Sequence, residues 1–325
     1  MLLNQDCFGC LYACLATTIL FLTMTNESNK MPKIIAFENG KKVSPDRLVP
    51  CFDLDQNISV FESLKCYQGK IFRLDRHLDR FFESAKTTGL RIPKTRGGLK
   101  KEIQACLAAS AGKDGFVRLT VDGQNSYVFL TDRKRPPSIY KTGVPLKTSV
   151  VRRNLVHASP PEAKTNAFFN CILAELDRGN HGTPSKSTGF LVPAAKKTNP
   201  VLLEGVPEVP EVLFLDREGY VTESTAWNIF MVKHGSLYTP ESGILSGVTR
   251  QFVIECAQKE GLPVSETTLT RHDFWNADEA FLTNTSGEIV PIRSLDGRVI
   301  GGQVPGVITK RLMKRFKVEL EKELK

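Results

Sequence analysis

The chain has 325 residues, 41% of them hydrophobic and 24% charged, with a formal net charge of +9 and eight cysteines. That length suits one large or two medium domains, and the composition is ordinary for a soluble globular protein. The basic balance raises nucleic-acid binding, but Lys and Arg are spread along the chain. The densest run, Lys310 to Lys325, is interleaved with Glu319, Glu321 and Glu323, so a solvated basic surface is expected and nucleic acid is not.

Cys7, Cys10 and Cys14 crowd the first segment, and the other five cysteines are isolated, none at metal-ligand spacing. They read as reduced thiols of a cytoplasmic protein with no bound metal. Phe8 to Met24 is apolar, but Asp6 and no Lys or Arg precede it, which is not how a signal peptide begins. The stretch is also short for a membrane span. Residues 1–30 are therefore read as a start-site extension, with a membrane anchor or leader as the rival.

From Lys33 the pattern is regular. A hairpin turning on Asn39-Gly40 is expected first, then a strand over Val60 to Tyr67 and a turn at Gln68-Gly69. Leu74, Leu78, Phe81, Phe82 and Ala85 predict a helix opened by Asp75 and closed by Gly89. A second helix is expected from about Gly98 to Ala111, and paired strands over 116–121 and 126–131. Residues 134–146, with Arg135-Pro-Pro, are read as the linker between a smaller domain (31–133) and a larger one (147–325). In the larger domain, a strand near Thr148 to Val151 precedes Lys164 and a helix carrying Cys171, Ile172 and Glu175. Gly179 to Pro210 is a long segment rich in Gly, Pro, Ser and Lys. Strands over 212–215, 221–223, 228–232, 237–239, 280–283 and 289–292 follow, with a helix between Gly247 and Gly261. Ile308, Leu312, Phe316 and Leu320 mark an amphipathic terminal helix. Strand-rich halves with segregated helices give the α+β class.

Asp216 to Arg250 carries the chemistry. Glu223 is a carboxylate just past a tight turn, and Ser246-Gly247-Val248-Thr249 are small residues opening a helix. A helix start offers free N–H groups and a positive dipole end to a phosphate, and a carboxylate can keep a pyridine nitrogen protonated. One flat, phosphorylated, nitrogen-containing cofactor suits both features, and a lysine elsewhere is then needed to complete its site.

Gly219-Tyr-Val-Thr-Glu223, Asn228-Ile-Phe, Ile244-Leu-Ser-Gly-Val-Thr-Arg250, Ala277-Asp-Glu-Ala-Phe-Leu-Thr, Gly287-Glu-Ile-Val-Pro291 and Pro305-Gly-Val-Ile-Thr-Lys310 resemble, in order, motifs of the fold-type IV pyridoxal-phosphate (PLP) enzymes. This is the aminotransferase class IV family of branched-chain and D-amino-acid aminotransferases and aminodeoxychorismate lyase. The resemblance implies a small N-terminal α/β sandwich, a larger C-terminal pseudo-barrel and a homodimer. It implies Lys164 as the Schiff-base lysine, Glu223 at the pyridine nitrogen, and Arg80, Val248, Thr249 and Thr285 at the phosphate, beside Gly247. It puts Leu245 against the cofactor ring, and Ser286 and Gly287 at the substrate carboxylate.

The implied activity moves an amino group between a small amino acid, of branched-chain or D-amino-acid type, and a 2-oxo acid, in ping-pong order. A PLP lyase releasing pyruvate is the alternative, and a basic non-enzymatic binding protein is the reading from another class. The chain departs from branched-chain enzymes at Phe169, where they carry Tyr. It departs again near Gln56, which stands at a substrate-facing aromatic position, and at Arg118, which no proline follows. All three departures touch the substrate side rather than the cofactor set.

Overall fold

The computed structural model describes residues 34–44, 58–110, 114–132, 135–167, 169–178 and 210–325. The expected leader, Gln56 and the Gly179–Pro210 segment short of its last residue lie outside the described residues. The described residues form two compact units. One runs to Asp132 and includes 163–167; the other holds 135–162, 169–178 and 210–325.

The first unit is built on a six-stranded antiparallel sheet. Its strands are β1 (Ile35–Glu38), β2 (Lys41–Val43), β3 (Val60–Tyr67), β4 (Lys70–Ile71), β5 (Gly115–Val121) and β6 (Ser126–Thr131), in the order β2-β1-β6-β5-β3-β4. Asn39 and Gly40 take positive φ of 49° and 81°, as a two-residue hairpin turn of matching twist requires. Two helices, α1 (Leu74–Thr88) and α2 (Arg96–Ala109), pack Leu78, Phe81, Ala85, Leu99 and Ile103 with Val60, Leu64, Val117, Leu119 and Val128. Each large side chain so buried contributes about 1.5–3 kcal/mol.

Gly89 closes α1 at φ 69°, and Leu90 N–H returns to Ala85 O. The start of α1 differs from expectation. Arg73, in the left-handed region, is its N-cap, and Asp75 instead pairs with Arg96 and Lys100. The Phe72–Arg73 turn after β4 delivers the chain to the helix in that conformation, and no side-chain cap is used. Thr95 does cap α2, accepting from Gly98 N–H.

The second unit holds a nine-stranded mixed sheet. Its strands are β7 (Val144–Thr148), β8 (Glu211–Leu215), β9 (Val221–Ser224), β10 (Asn228–Lys233), β11 (Ser236–Pro240), β12 (Val264–Thr267), β13 (Glu279–Asn284), β14 (Glu288–Leu295) and β15 (Arg298–Val299). The order is β12-β11-β10-β13-β14-β7-β8-β9, with β15 on β14. At one edge Val221 N–H reaches Leu269 O, just beyond the strand at the other edge, so the sheet curls toward closure as a pseudo-barrel. Five helices accompany it: α3 (Ile139–Thr142), α4 (Phe169–Arg178), α5 (Val248–Lys259), α6 (Arg271–Trp275) and α7 (Val307–Leu324).

Leu213, Ile229, Phe274, Leu282 and Val290 lie at the centre of this unit's core, and Phe252 of α5 meets Phe316 of α7 edge to face at 4.8 Å. Glu279 caps α7, accepting from Ile308 and Thr309 N–H at 2.8 and 2.7 Å. The strand expected at 148–151 lies at 144–148. Leu146 pairs in parallel with Leu295 on one side and Glu211 on the other, and the Ser149 hydroxyl accepts Val151 N–H and turns the chain. The terminal helix, the hairpin and the strand pairs 115–121 and 126–131 form as expected. Strand β12 and helix α6 were not foreseen.

Candidate active site

In the first unit, Lys164 sits on a short segment laid against β3. Thr165 bridges to Val60, Phe61 N–H donates to Lys164 O at 3.1 Å, and Asn166 exchanges two hydrogen bonds with the Ser59 backbone. The Lys164 N–H donates to Ser84 Oγ at 2.9 Å, and that hydroxyl donates to Arg80 O at 2.7 Å. The lysine backbone is thereby fixed to both β3 and α1. Its ammonium nitrogen lies 4.6 Å from the centre of the Phe61 ring, and the Arg118 guanidinium carbon lies 3.7 Å from the same ring. Burial lowers the Arg118 pKa to about 10, opposed by the nearby Glu62 charge.

Arg80 is buried on α1 and held by Glu62 through Nε–Oε1 at 2.7 Å and Nη2–Oε2 at 2.9 Å. His77, one turn earlier on the same helix face, contacts Glu62 Oε2 through Nδ1 at 2.8 Å. Burial alone raises the Glu62 carboxyl, but the charge and hydrogen bonds of Arg80 and the bond from His77 outweigh it and hold it well below the ordinary carboxylate range. For His77 burial wins over the attraction of Glu62 and lowers its pKa, so the neutral ring donates its Nδ1–H. The sequence contained a signal for this group. Val60, Glu62, Leu64 and Cys66 share one face of β3 by period two, and Glu62 is the acid in an otherwise apolar row.

In the second unit, Glu223 is 5% exposed on β9. Its Oε1 pairs with Arg153 Nη2 at 2.7 Å, and its Oε2 accepts from Asn228 Nδ2 and from Leu245 N–H, both at 3.0 Å. Asn228 Nδ2 also donates to Leu245 O at 2.9 Å, so Glu223 and Leu245 are clamped together. Gly247 is the N-cap of α5, and a Cβ there would fall 2.0 Å from Asn228 Oδ1, which only glycine avoids. Val248 and Thr249 are buried in the first turn, where backbone N–H groups have no intrahelical acceptor.

Thr285, Ser286 and Gly287 form the turn between β13 and β14. Asn284 Oδ1 accepts from Gly287 N–H at 2.7 Å and Ser286 Oγ at 3.2 Å, and Arg135 Nη2 donates to Ser286 Oγ at 3.2 Å. Trp227 packs beneath Gly287, leaving 2.3 Å to any added Cβ. Thr285 is half-buried and makes no hydrogen bond to the described residues.

The structure therefore brings Glu223, Leu245 and the α5 start together, and separately Lys164 and Arg80. Glu62, His77, Arg153 and Asn228 are the partners that sequence reasoning missed. The second unit's group fits a phosphorylated pyridine cofactor. Glu223 is a buried carboxylate held in an ion pair, and α5 supplies a twelve-residue dipole behind a glycine entrance.

Residues 59–183 and 207–295 match the model of the family described as amino-transferase class IV. A putative branched-chain-amino-acid aminotransferase of Methanocaldococcus jannaschii is 34% identical, over 86% of this chain and 94% of that protein. The branched-chain-amino-acid aminotransferase of Pseudomonas aeruginosa is 30% identical over 81% and 84%, and a D-alanine aminotransferase of Bacillus licheniformis is 28% identical over 78% and 84%. The solved T.th. branched-chain amino acid aminotransferase with pyridoxamine 5'-phosphate superposes with a TM-score of 0.73 at 25% identity, covering 89% of this chain and 94% of that one. The family match and the fold define a PLP-dependent aminotransferase of fold type IV. The chain belongs to the amino-transferase class IV family.

Proposed function

We propose that the enzyme transfers the amino group of a small apolar amino acid, of the branched-chain type, to a 2-oxo acid. The 34% identity to the M. jannaschii relative over nearly its whole length carries this reading. The cofactor, when bound, supplies an electron sink for the carbanion left when the substrate's α-proton departs. Lys164 attaches it, and once free its amine takes and returns the proton at the substrate α-carbon. Glu223, paired with Arg153, would hold a proton on the ring nitrogen. Arg80, the Val248 and Thr249 N–H groups behind Gly247, and the Thr285 hydroxyl bind the phosphate. Leu245 would pack against the ring and exclude water.

Ser286 and Gly287, fixed by Asn284, Arg135 and Trp227, receive the substrate carboxylate. Phe169 lacks the hydroxyl of the tyrosine at that position in branched-chain enzymes, so it makes no hydrogen bond to the ring oxygen. We further propose a homodimer working in the cytoplasm. Support for the compartment comes from four buried free cysteines, Cys66, Cys106, Cys171 and Cys256, and from the finding that no described helix is long and apolar enough to cross a membrane.

The test is an amino-transfer assay with branched-chain L-amino acids, D-alanine and 2-oxoglutarate, on the native protein and Lys164→Ala. Loss of turnover by about 10³-fold or more, with an unchanged melting temperature, is the expected result. Near-normal turnover in the variant assigns the chemistry to another lysine. Release of pyruvate without amino-group exchange overturns the transferase reading.

A further inference from the structure

The second unit contains a cavity of about 420 Å³ whose walls include Thr148, Arg152, Arg271, Trp275, Asp296 and Arg298. None of these belongs to the cofactor set. Three guanidinium groups face one carboxylate there, and that carboxylate is already engaged. Asp296 accepts from Thr148 N–H and from Thr148 Oγ1, both at 2.7 Å, while its contact to Arg271 is a long 3.8 Å. Among the described residues Arg152 and Arg298 form no ion pair. Gathering like charges in a concave wall costs energy that a bound anion relieves.

Arg152 and Arg298 are exposed, but two of the three arginines are held against a ring. Arg271 and Arg298 lie 5.4 and 4.3 Å from the Trp275 ring. Packing a guanidinium against an aromatic ring restrains its orientation and leaves in-plane N–H donors for an oxyanion, two at a time. The recess is open to solvent and mostly polar, which suits a charged ligand, and the exposed Val150 at its wall adds an apolar edge.

We propose that this cavity is a second ligand site, taking a compact multivalent oxyanion, a phosphate ester or a dicarboxylate, on Arg152, Arg271 and Arg298. The proposal does not rest on the aminotransferase reading. Two probes separate the sources: inorganic pyrophosphate and succinate, each titrated calorimetrically into the full chain saturated with PLP, so that the cofactor's own phosphate site is filled. At matched ionic strength, saturable binding of one anion per chain is expected for at least one probe. Preference for pyrophosphate or succinate then identifies which oxyanion the site takes.

The R271Q/R298Q variant should bind at least about tenfold more weakly, with the visible cofactor band and melting temperature unchanged. R152Q, at an exposed position that leaves the fold intact, should weaken binding in the same direction and is the control should the double variant misfold. Equal affinity in native protein, R152Q and R271Q/R298Q overturns the proposal. So does the absence of saturable binding by either probe, or uptake that disappears when ionic strength is matched, which is diffuse screening.

Discussion

Glu62 and Glu223 are both buried carboxylates paired with an arginine, yet they are built in opposite senses. Glu62 receives two side chains from one face of α1, His77 and Arg80, and its effect is to fix the arginine. Glu223 receives Arg153, the Asn228 amide and the Leu245 backbone, three donors from separate parts of its unit, and their effect is to fix the acid. A buried ion pair is weak evidence for stability by itself. The acceptor Glu62 holds Arg80 in one unit, and three donors hold Glu223 in the other.

The sharpest way to break this comparison is to neutralise each acid. Glu62→Gln leaves Arg80 buried without its countercharge and should cost roughly 3–5 kcal/mol, read from urea denaturation. Glu223→Gln likewise leaves buried Arg153 without its countercharge, so a stability loss of similar size is expected. Its turnover should fall by roughly 10²-fold or more while PLP remains bound. If the two variants lose stability and turnover in the same proportion, the two carboxylates play one role.

Gly247→Ala should have a smaller effect on stability. Its Cβ must push Asn228 aside, costing about 1–3 kcal/mol and weakening PLP retention on dialysis. An alanine variant that keeps PLP as the native protein does would remove Asn228 from the account.

Acid should act on the Glu62 group in two steps. His77 is held below its ordinary 6.5 by burial, so below that value the unfolded chain takes up a proton that the folded protein resists, and stability falls with pH. Glu62 is held below its ordinary 4.5. Its contribution is complete above that value and is lost as pH falls further. His77→Gln should therefore flatten urea midpoints between about pH 6.5 and pH 5, leaving the steeper loss below 4.5. An unchanged upper limb would mean that His77 titrates normally.

Local features of the fold were legible in the sequence. Asn39-Gly40, Gly89, the alternation of β3 and the spacing of α7 each carry their own geometry. What was missed depends on distant partners. The place of β7 is set by β14 and β8, each far away in sequence, and the start of α1 by the turn feeding it rather than by Asp75. In the candidate site, Lys164 was singled out only by resemblance, whereas Glu223 past its turn and the Gly247 helix start were readable from residue type and position. Arg153, Asn228 and His77 were not, because an arginine, an amide and a histidine gain their meaning only from the carboxylates they face. Glu62 was within reach, as a charge in an apolar row.

The central claim is that this chain binds PLP through Lys164 and uses it on amino acids. It is tested most directly by the visible absorption spectrum of PLP-saturated native protein and Lys164→Ala, before and after adding L-leucine, L-isoleucine, L-valine and D-alanine in turn. The account predicts a yellow band in the native protein that bleaches with the branched-chain L-amino acids and is absent or displaced in the variant. A native band that no amino acid shifts, or an identical band in Lys164→Ala, would contradict it.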